Sequence, residues 1–175
     1  MTDMQSFDAQ DWNKRIQTLG GDILQSAEWA DFQARLGRDV VRAQGADWAW
    51  QGFIRRAKGL RYLLIPYGPV IKSSAAEALH AAAIAGAEQE ADFVRLEPVG
   101  RVDGDVFRTH GIRARRITEL NPQHTFVLDL SPSLEDLRAK LDSGHRNRIN
   151  TTDKRGIVVR QIRNMTPFQD FVRLM

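Results

Sequence analysis

The apolar positions of this chain change period several times, and each change marks an element. From Asp8 to Leu19, Trp12, Ile16 and Leu19 recur at helical spacing, and Gly20-Gly21 closes the run. Ser26 predicts the start of a second helix, with Trp29, Phe32 and Leu36 along one side and Gly37 as its stop. On that pattern Trp29 reads as a core anchor. From Ala46 the period becomes two. Trp48, Trp50, Gly52 and Ile54 point one way and Ala49, Gln51, Phe53 and Arg55 the other, as in a long strand. Lys58-Gly59 makes a turn, and Leu60 to Ile65 returns as a more fully apolar strand, expected near the centre of a sheet. Pro66-Tyr67-Gly68-Pro69 then forms a rigid turn that cannot continue a ladder.

Ser74 and Glu77 have capping-box spacing before an alanine-rich helix that runs to Glu90, whose small side chains allow close packing against a sheet. His80 within it is read as an ordinary helix residue. Phe93 to Leu96 follows as a strand, so the order strand, helix, strand implies a right-handed crossover and parallel pairing. Gly100 to Gly111 reads as a loop with a short helix near Val106 and Phe107. The stretch from Asn121 to Arg163 reads strand, helix, helix, strand. Thr125 to Leu130 is the first strand, Ser133 caps a helix bearing Leu134, Leu137 and Leu141, Gly144 interrupts or bends it, Gly156 ends the second helical segment, and Ile157 to Val159 begins the last strand. Thr166-Pro167 opens a further helix with Phe168, Phe171, Val172 and Met175 on its apolar side, which raises the expectation that the chain belongs to something longer.

Composition narrows the chemistry. The 175 residues are 42% hydrophobic and 27% charged, enough for one substantial core. No cysteine occurs, which excludes disulfides, thiolate nucleophiles and Cys-ligated metals. The polar, acidic start does not resemble a secretory signal, and no apolar run reaches the roughly 20 residues of a membrane span. A cytoplasmic location is expected, with any membrane contact peripheral. The net charge of +3 is unevenly spread. Arg138, Lys140, Arg146, Arg148, Lys154, Arg155, Arg160 and Arg163 face only Asp142 and Asp153, so the 138–163 stretch carries +6. Such a block is either a solvated helix face or a surface that gathers phosphorylated or nucleic-acid partners. Arg113, Arg115 and Arg116 form a smaller basic run, a second candidate phosphate contact.

Familiar site signatures are missing: no Gly-x-x-x-x-Gly-Lys, no Gly-x-Gly-x-x-Gly, no His-Glu-x-x-His and no Gly-x-Ser-x-Gly. The four histidines are scattered, and no metal site is expected. The pyrophosphate loop of acetyl-CoA-dependent acyltransferases also fails, since Arg56-Ala-Lys-Gly59 and Arg108-Thr-His-Gly111 both break at the last position. Arg95-x-Glu97-Pro98 places a carboxylate at a strand end, where open α/β sheets bind ligands, with an arginine beside it to hold it ionised. An exposed glutamate at a strand end is the plainer reading.

The 121–163 stretch resembles the Fem family of non-ribosomal peptidyltransferases. Thr125, Asp129, Leu130 and Ser131 match its T-x-x-x-D-L-S, and Arg146, Ile149 and Gly156 match its R-x-N-I-x-x-A-x-x-x-G-V, with Arg148 and Thr152 departing where Asn and Ala are usual. Gln25-Ser26-Ala27-Glu28-Trp29 resembles a stretch that borders the family's substrate cleft, and the position of a substrate-contacting basic residue falls on Gln33. Tyr67 sits in a Tyr-Gly-Pro similar to one beside that cleft.

What the resemblance implies is an α/β fold, a GNAT-like mixed sheet flanked by helices as in acyl-CoA N-acyltransferases, but without coenzyme A or another cofactor. Residues 1–163 would form the first of two lobes and 164–175 the start of the second. The implied activity is transfer of an amino acid from aminoacyl-tRNA to the stem peptide of a peptidoglycan precursor, uridine-diphosphate-linked or lipid-linked. Trp29, Gln33, Tyr67, Arg95, Arg146, Arg148, Lys154 and Arg155 are the candidate substrate contacts. Glu97 is the candidate catalytic carboxylate, carried over by position alone. An N-acyltransferase using an acyl-CoA or carrier donor, and a non-catalytic RNA-binding module, remain open alternatives.

Overall fold

The computed structural model describes residues 8–99, 102–109, 111–118, 120–122, 124–158, 161, 169 and 171–173. The chain divides into two compact units, Met1–His124 and Thr125–Met175. In the first, helices α1 (Ala9–Leu19) and α2 (Ala27–Arg35) precede strands β1 (Val40–Gln44), β2 (Trp48–Ala57), β3 (Leu60–Ile65) and β4 (Val70–Ile71), then α3 (Ala75–Glu88), β5 (Phe93–Leu96) and α4 (Gly104–Thr109). The sheet runs β1-β2-β3-β5, with β4 beside β2. The β1, β3 and β4 pairings with β2 are antiparallel, whereas β5 joins β3 in parallel, as the crossover through α3 predicted. Lys58 and Gly59, both at positive φ, make the tight turn between β2 and β3.

Both sheet faces are covered over part of their extent. On one, Trp48, Trp50, Ile54, Leu63 and Ile65 pack with Ala78, Ala82 and Ala85 of α3. On the other, Ala49 packs with Trp12 and Ile16 of α1 and Ala27 of α2. Close approach is possible only because small residues stand at the crossings. A Cβ on Gly52 would lie 2.8 Å from side-chain carbons of both Leu63 and Ile65 and 2.9 Å from the Leu64 carbonyl oxygen.

The register of β2 shifts between its two partners on the β3 side. Phe53 faces Leu64 but Ala49 faces Val70, so four steps along β2 oppose six along the returning chain. The excess is taken up by the Pro66–Pro69 turn, and it leaves the backbone of Gln51 without a strand opposite. The side chain of Gln25 fills that gap. Its Oε1 accepts from Gln51 N at 2.7 Å, and its Nε2 donates to Gln51 O at 3.0 Å and Pro66 O at 2.6 Å. Gln51 reciprocates, its Nε2 donating to the carbonyls of Leu24 and Ser26. Trp12 Nε1 donates to the Gln25 carbonyl at 2.8 Å. Gln25 and Gln51 are fully buried, and together they seat α1, α2 and the proline turn on β2.

Two expected features take a different form. Ser74 precedes α3, but its side chain makes no cap to the helix. Its hydroxyl and amide, and the Ser73 hydroxyl, instead donate to Asp47 in the β1–β2 turn, and Glu77 accepts from Trp48 Nε1 at 3.2 Å. The capping-box residues are thus used in tertiary bonds that hold α3 to the hairpin. In α2 the buried residues are Ala27, Ala30 and Gln33. Trp29 is half-buried and Phe32 and Leu36 are exposed, so the apolar stripe read as core faces away from it.

In the second unit, Ser133 caps α5 (Leu134–Lys140), accepting from Asp136 N and donating to the Asp136 carboxylate as the spacing predicted. The helix stops earlier than Gly144: Leu141 is extended and Asp142 caps α6 (Ser143–Asn150), with Gly144 inside its first turn. Gly156, at positive φ, follows the 3₁₀ turn Asp153–Arg155. The strand expected at Thr125–Leu130, and Ile157 and Val158 of the one expected at Ile157–Val159, form no ladder among the described residues, and Phe126, Val127, Leu128 and Leu130 are exposed. Apolar and β-branched composition favours an extended backbone, but a strand exists only where its amides find a partner. Val159, Arg160, Arg163, Phe168 and Met175 lie outside the described residues; Phe171 and Val172 are helical and exposed. No helix among the described residues is long and apolar enough to cross a membrane.

Replacing Gln25 by Leu strands the Gln51 amide, the Gln51 carbonyl and the Pro66 carbonyl, so a loss of about 3 kcal/mol is expected in urea denaturation. The Ser73 hydroxyl first, then the Ser74 hydroxyl and amide, hold the Asp47 carboxyl below its usual range. A depressed pKa contributes stability above the unfolded value of about 3.9, lost as pH falls through the lower folded value. The Tm gap between wild type and Asp47→Asn should therefore be widest above about pH 4 and close on acidification.

Candidate functional site

The stripe of α2 that misses the core lines a pocket of about 330 Å³. Trp29, Phe32, Gln33 and Leu36 form its helix side, Phe53, Arg55 and Leu64 its sheet side, and Leu24, Arg38, Pro66, Leu120 and Asn121 complete it. Trp29 and Phe32 lie with ring centroids 5.2 Å apart. The indole Nε1 of Trp29 is buried with no hydrogen-bond partner.

The charge in this pocket comes from two arginines that the sequence reading did not single out. Arg38 follows the Gly37 stop of α2, and its guanidinium donates to Oε1 of the buried Gln33. Gln33 thereby orients a cation. Burial, and next the charge of Arg55, draw the Arg38 pKa down from its ordinary value. No carboxylate among the described residues forms a salt bridge with Arg38 or Arg55. Two like charges held close without a counter-ion favour an anion between them. Arg55 could have been noticed, because it shares the alternation of Phe53 along β2. Arg38 could not, since nothing in its neighbours says where the chain turns after Gly37.

The Arg95-x-Glu97 pair lies at the end of β5. Arg95 Nη2 is 3.8 Å from Glu97 Oε1 and donates to the Thr118 carbonyl at 2.6 Å. Glu97 accepts from Leu120 N at 3.0 Å and from the Asn121 side-chain amide. Its carboxylate therefore fastens the pocket residues Leu120 and Asn121. Tyr67, at positive φ after Pro66, donates its hydroxyl to the Pro122 carbonyl at 2.8 Å. Trp29, Gln33, Tyr67, Arg95 and Glu97 are thus brought to one region of the first unit.

Arg146, Arg148, Lys154 and Arg155 belong to the second unit. Arg146 donates to the carbonyls of Ala139 and Leu141 and ties the end of α5 to α6. Arg148, Lys154 and Arg155 are exposed, on α6 and the 3₁₀ turn that follows it. Asp129 and Ser131 of the family-like motif close on each other: the Ser131 amide and hydroxyl donate to the Asp129 carboxylate at 2.9 and 3.0 Å, which lowers its pKa. No cluster of His, Asp or Glu among the described residues is placed to hold a metal ion.

This architecture is an α/β, GNAT-like fold. The structure of FemX superposes with a TM-score of 0.59 at 18% identity, over 97% of this chain and 48% of FemX. The chain spans about half the length of that neighbour. A probable acetyltransferase aligns over 71% of this chain and 91% of its own at 14% identity and a TM-score of 0.37. No family model and no curated protein matches the sequence.

Arg38→Gln and Arg55→Gln should each weaken binding of inorganic pyrophosphate about tenfold, read by calorimetry, since each removes a charge-assisted contact. Gln33→Leu should act in the same direction by releasing Arg38 from its orienting bond.

Proposed function

We propose that this chain is the first lobe of an aminoacyltransferase of peptidoglycan synthesis, residues 1–163 forming the lobe and 164–175 opening a second. The observation that carries the reading is the Arg38–Arg55 pair in an apolar, aromatic-walled pocket on a GNAT-like sheet. It suits an acceptor with an anionic head and an extended organic body, as in a uridine-diphosphate-linked or lipid-linked precursor. The likeness in fold to FemX agrees with the Fem-like pattern at Thr125–Ser131 and Arg146–Gly156. Fold alone does not assign chemistry, so the weight rests on the pocket.

In this reading the stem-peptide amine attacks the ester carbonyl of aminoacyl-tRNA. An amide bond forms, the ester C–O bond breaks, and the departing ribose hydroxyl takes up a proton. The ester is already activated, so no covalent enzyme nucleophile is required and positioning supplies much of the rate. Arg38 and Arg55 hold the acceptor's anionic group, and Trp29 supplies a donor. Glu97 and Arg95 position Asn121 and Leu120 at the pocket wall. The basic surface around Arg148, Lys154 and Arg155 attracts polyanionic substrate, aminoacyl-tRNA above all. No cofactor is used.

The test is transfer of a radiolabelled amino acid from charged tRNA to a uridine-diphosphate-linked or lipid-linked precursor by the full-length protein. Transfer is expected, with Arg55→Gln raising the acceptor KM about tenfold while kcat changes little. Absence of transfer together with coenzyme A binding would replace this reading with that of an acyl-CoA-dependent N-acyltransferase.

A further inference from the structure

The face of the sheet that floors the pocket continues past it. Along β2, β3 and β5 the pocket-side row is Phe53, Leu64 and Arg95; two residues further along each strand, on the same face, stand Arg55, Tyr62 and Phe93. The Tyr62 and Phe93 rings are stacked, with centroids 4.9 Å apart and planes 7° from parallel. Phe93 is 42% exposed on β5, the last strand of the sheet among the described residues. Arg55 is the cross-strand neighbour of Tyr62, and Arg38 lies within electrostatic reach of both. The nearest acid in sequence, Asp92, is engaged by the Arg61 amide at 2.8 Å.

A cross-strand aromatic pair stabilises a sheet, but burying it would do so more effectively than leaving its outer ring in water. Exposed rings in line with guanidinium groups that have no carboxylate partner are the elements by which sheet surfaces hold unpaired bases: the π face takes the base and the cation takes the phosphate. We propose that the Arg55–Tyr62–Phe93 row binds single-stranded nucleic acid, one base stacking on the outer face of Phe93 and the adjoining phosphates resting on Arg55 and Arg38. The site shares Arg38 and Arg55 with the pocket but not its Trp29 and Phe32 wall, and it does not depend on the chain being a transferase.

The experiment is fluorescence anisotropy with a labelled oligouridylate of about ten nucleotides, titrated at several salt concentrations. Phe93→Leu and Tyr62→Leu should each weaken binding about tenfold, as loss of a stacking surface does. Arg55→Gln should lower the salt slope by about one. Arg56→Gln removes the same charge one residue along β2, on the opposite sheet face, and should leave binding unchanged. Tyr62→Phe keeps both rings and should bind as wild type. An oligodeoxythymidylate arm shows whether the 2′-hydroxyl contributes, and binding of either strand through these rings supports the site. Equal affinity in folded Phe93→Leu and Tyr62→Leu proteins, or equal losses from Arg55→Gln and Arg56→Gln, would overturn it. If the leucine variants unfold, photo-crosslinking of a bromouridine-substituted strand to the wild-type protein decides: adducts at Tyr62 or Phe93 support the site, and adducts confined elsewhere, or none, overturn it. Transfer activity enters none of these readouts.

Discussion

The first unit depends on one side-chain amide standing where a strand should be. The shift in register beside β2 opens a gap opposite Gln51, and a gap in the middle of a buried sheet exposes backbone groups to a medium that cannot solvate them. Gln25 supplies both a donor and an acceptor in the spacing of a peptide group, so it completes the ladder without adding a strand. The same bonds hold the proline turn and the start of α2, and α2 in turn forms one side of the pocket. The clamp thus seats the helix whose outer side walls the pocket, over strand residues Phe53 and Leu64 that are still paired.

A second constraint is the use of small residues at helix–sheet crossings. Ala27 and Ala30 let α2 rest on the sheet through a narrow face, leaving its bulky residues to stand clear, and Ala78, Ala82 and Ala85 do the same for α3. On α3 the large partners come from the sheet, chiefly Trp48 and Trp50. On α2 the large residues face the pocket instead. The same device, small against large, produces a dense core on one side and a lined cavity on the other.

The second unit shows how polar bonds between near neighbours organise a segment with little core. Ser133, Asp142 and Asp129 each satisfy backbone amides close in sequence, and Arg146 closes the end of α5. These bonds fix the path of the chain while leaving Arg148, Lys154 and Arg155 exposed to solvent. The exposed apolar residues from Phe126 to Leu130 have no such local solution, because an extended segment cannot satisfy its own backbone.

Local pattern determined much of this protein. Period, caps and turn residues located α1, α2, β2, β3, α3 and β5, and the order strand, helix, strand determined parallel pairing, because these follow from interactions within a few residues or from handedness. The motif at Gln25–Trp29 pointed toward the right region, but not to the reason: Gln25 matters because β2 and the proline turn meet it from far along the chain. Only the tertiary structure decided that Trp29 lines a pocket, that Ser74 and Glu77 serve the hairpin rather than their own helix, and that Gln33 orients Arg38 toward Arg55. Each outcome is a competition between a local partner and a distant one. Sequence shows the first contender, and folding brings in the second.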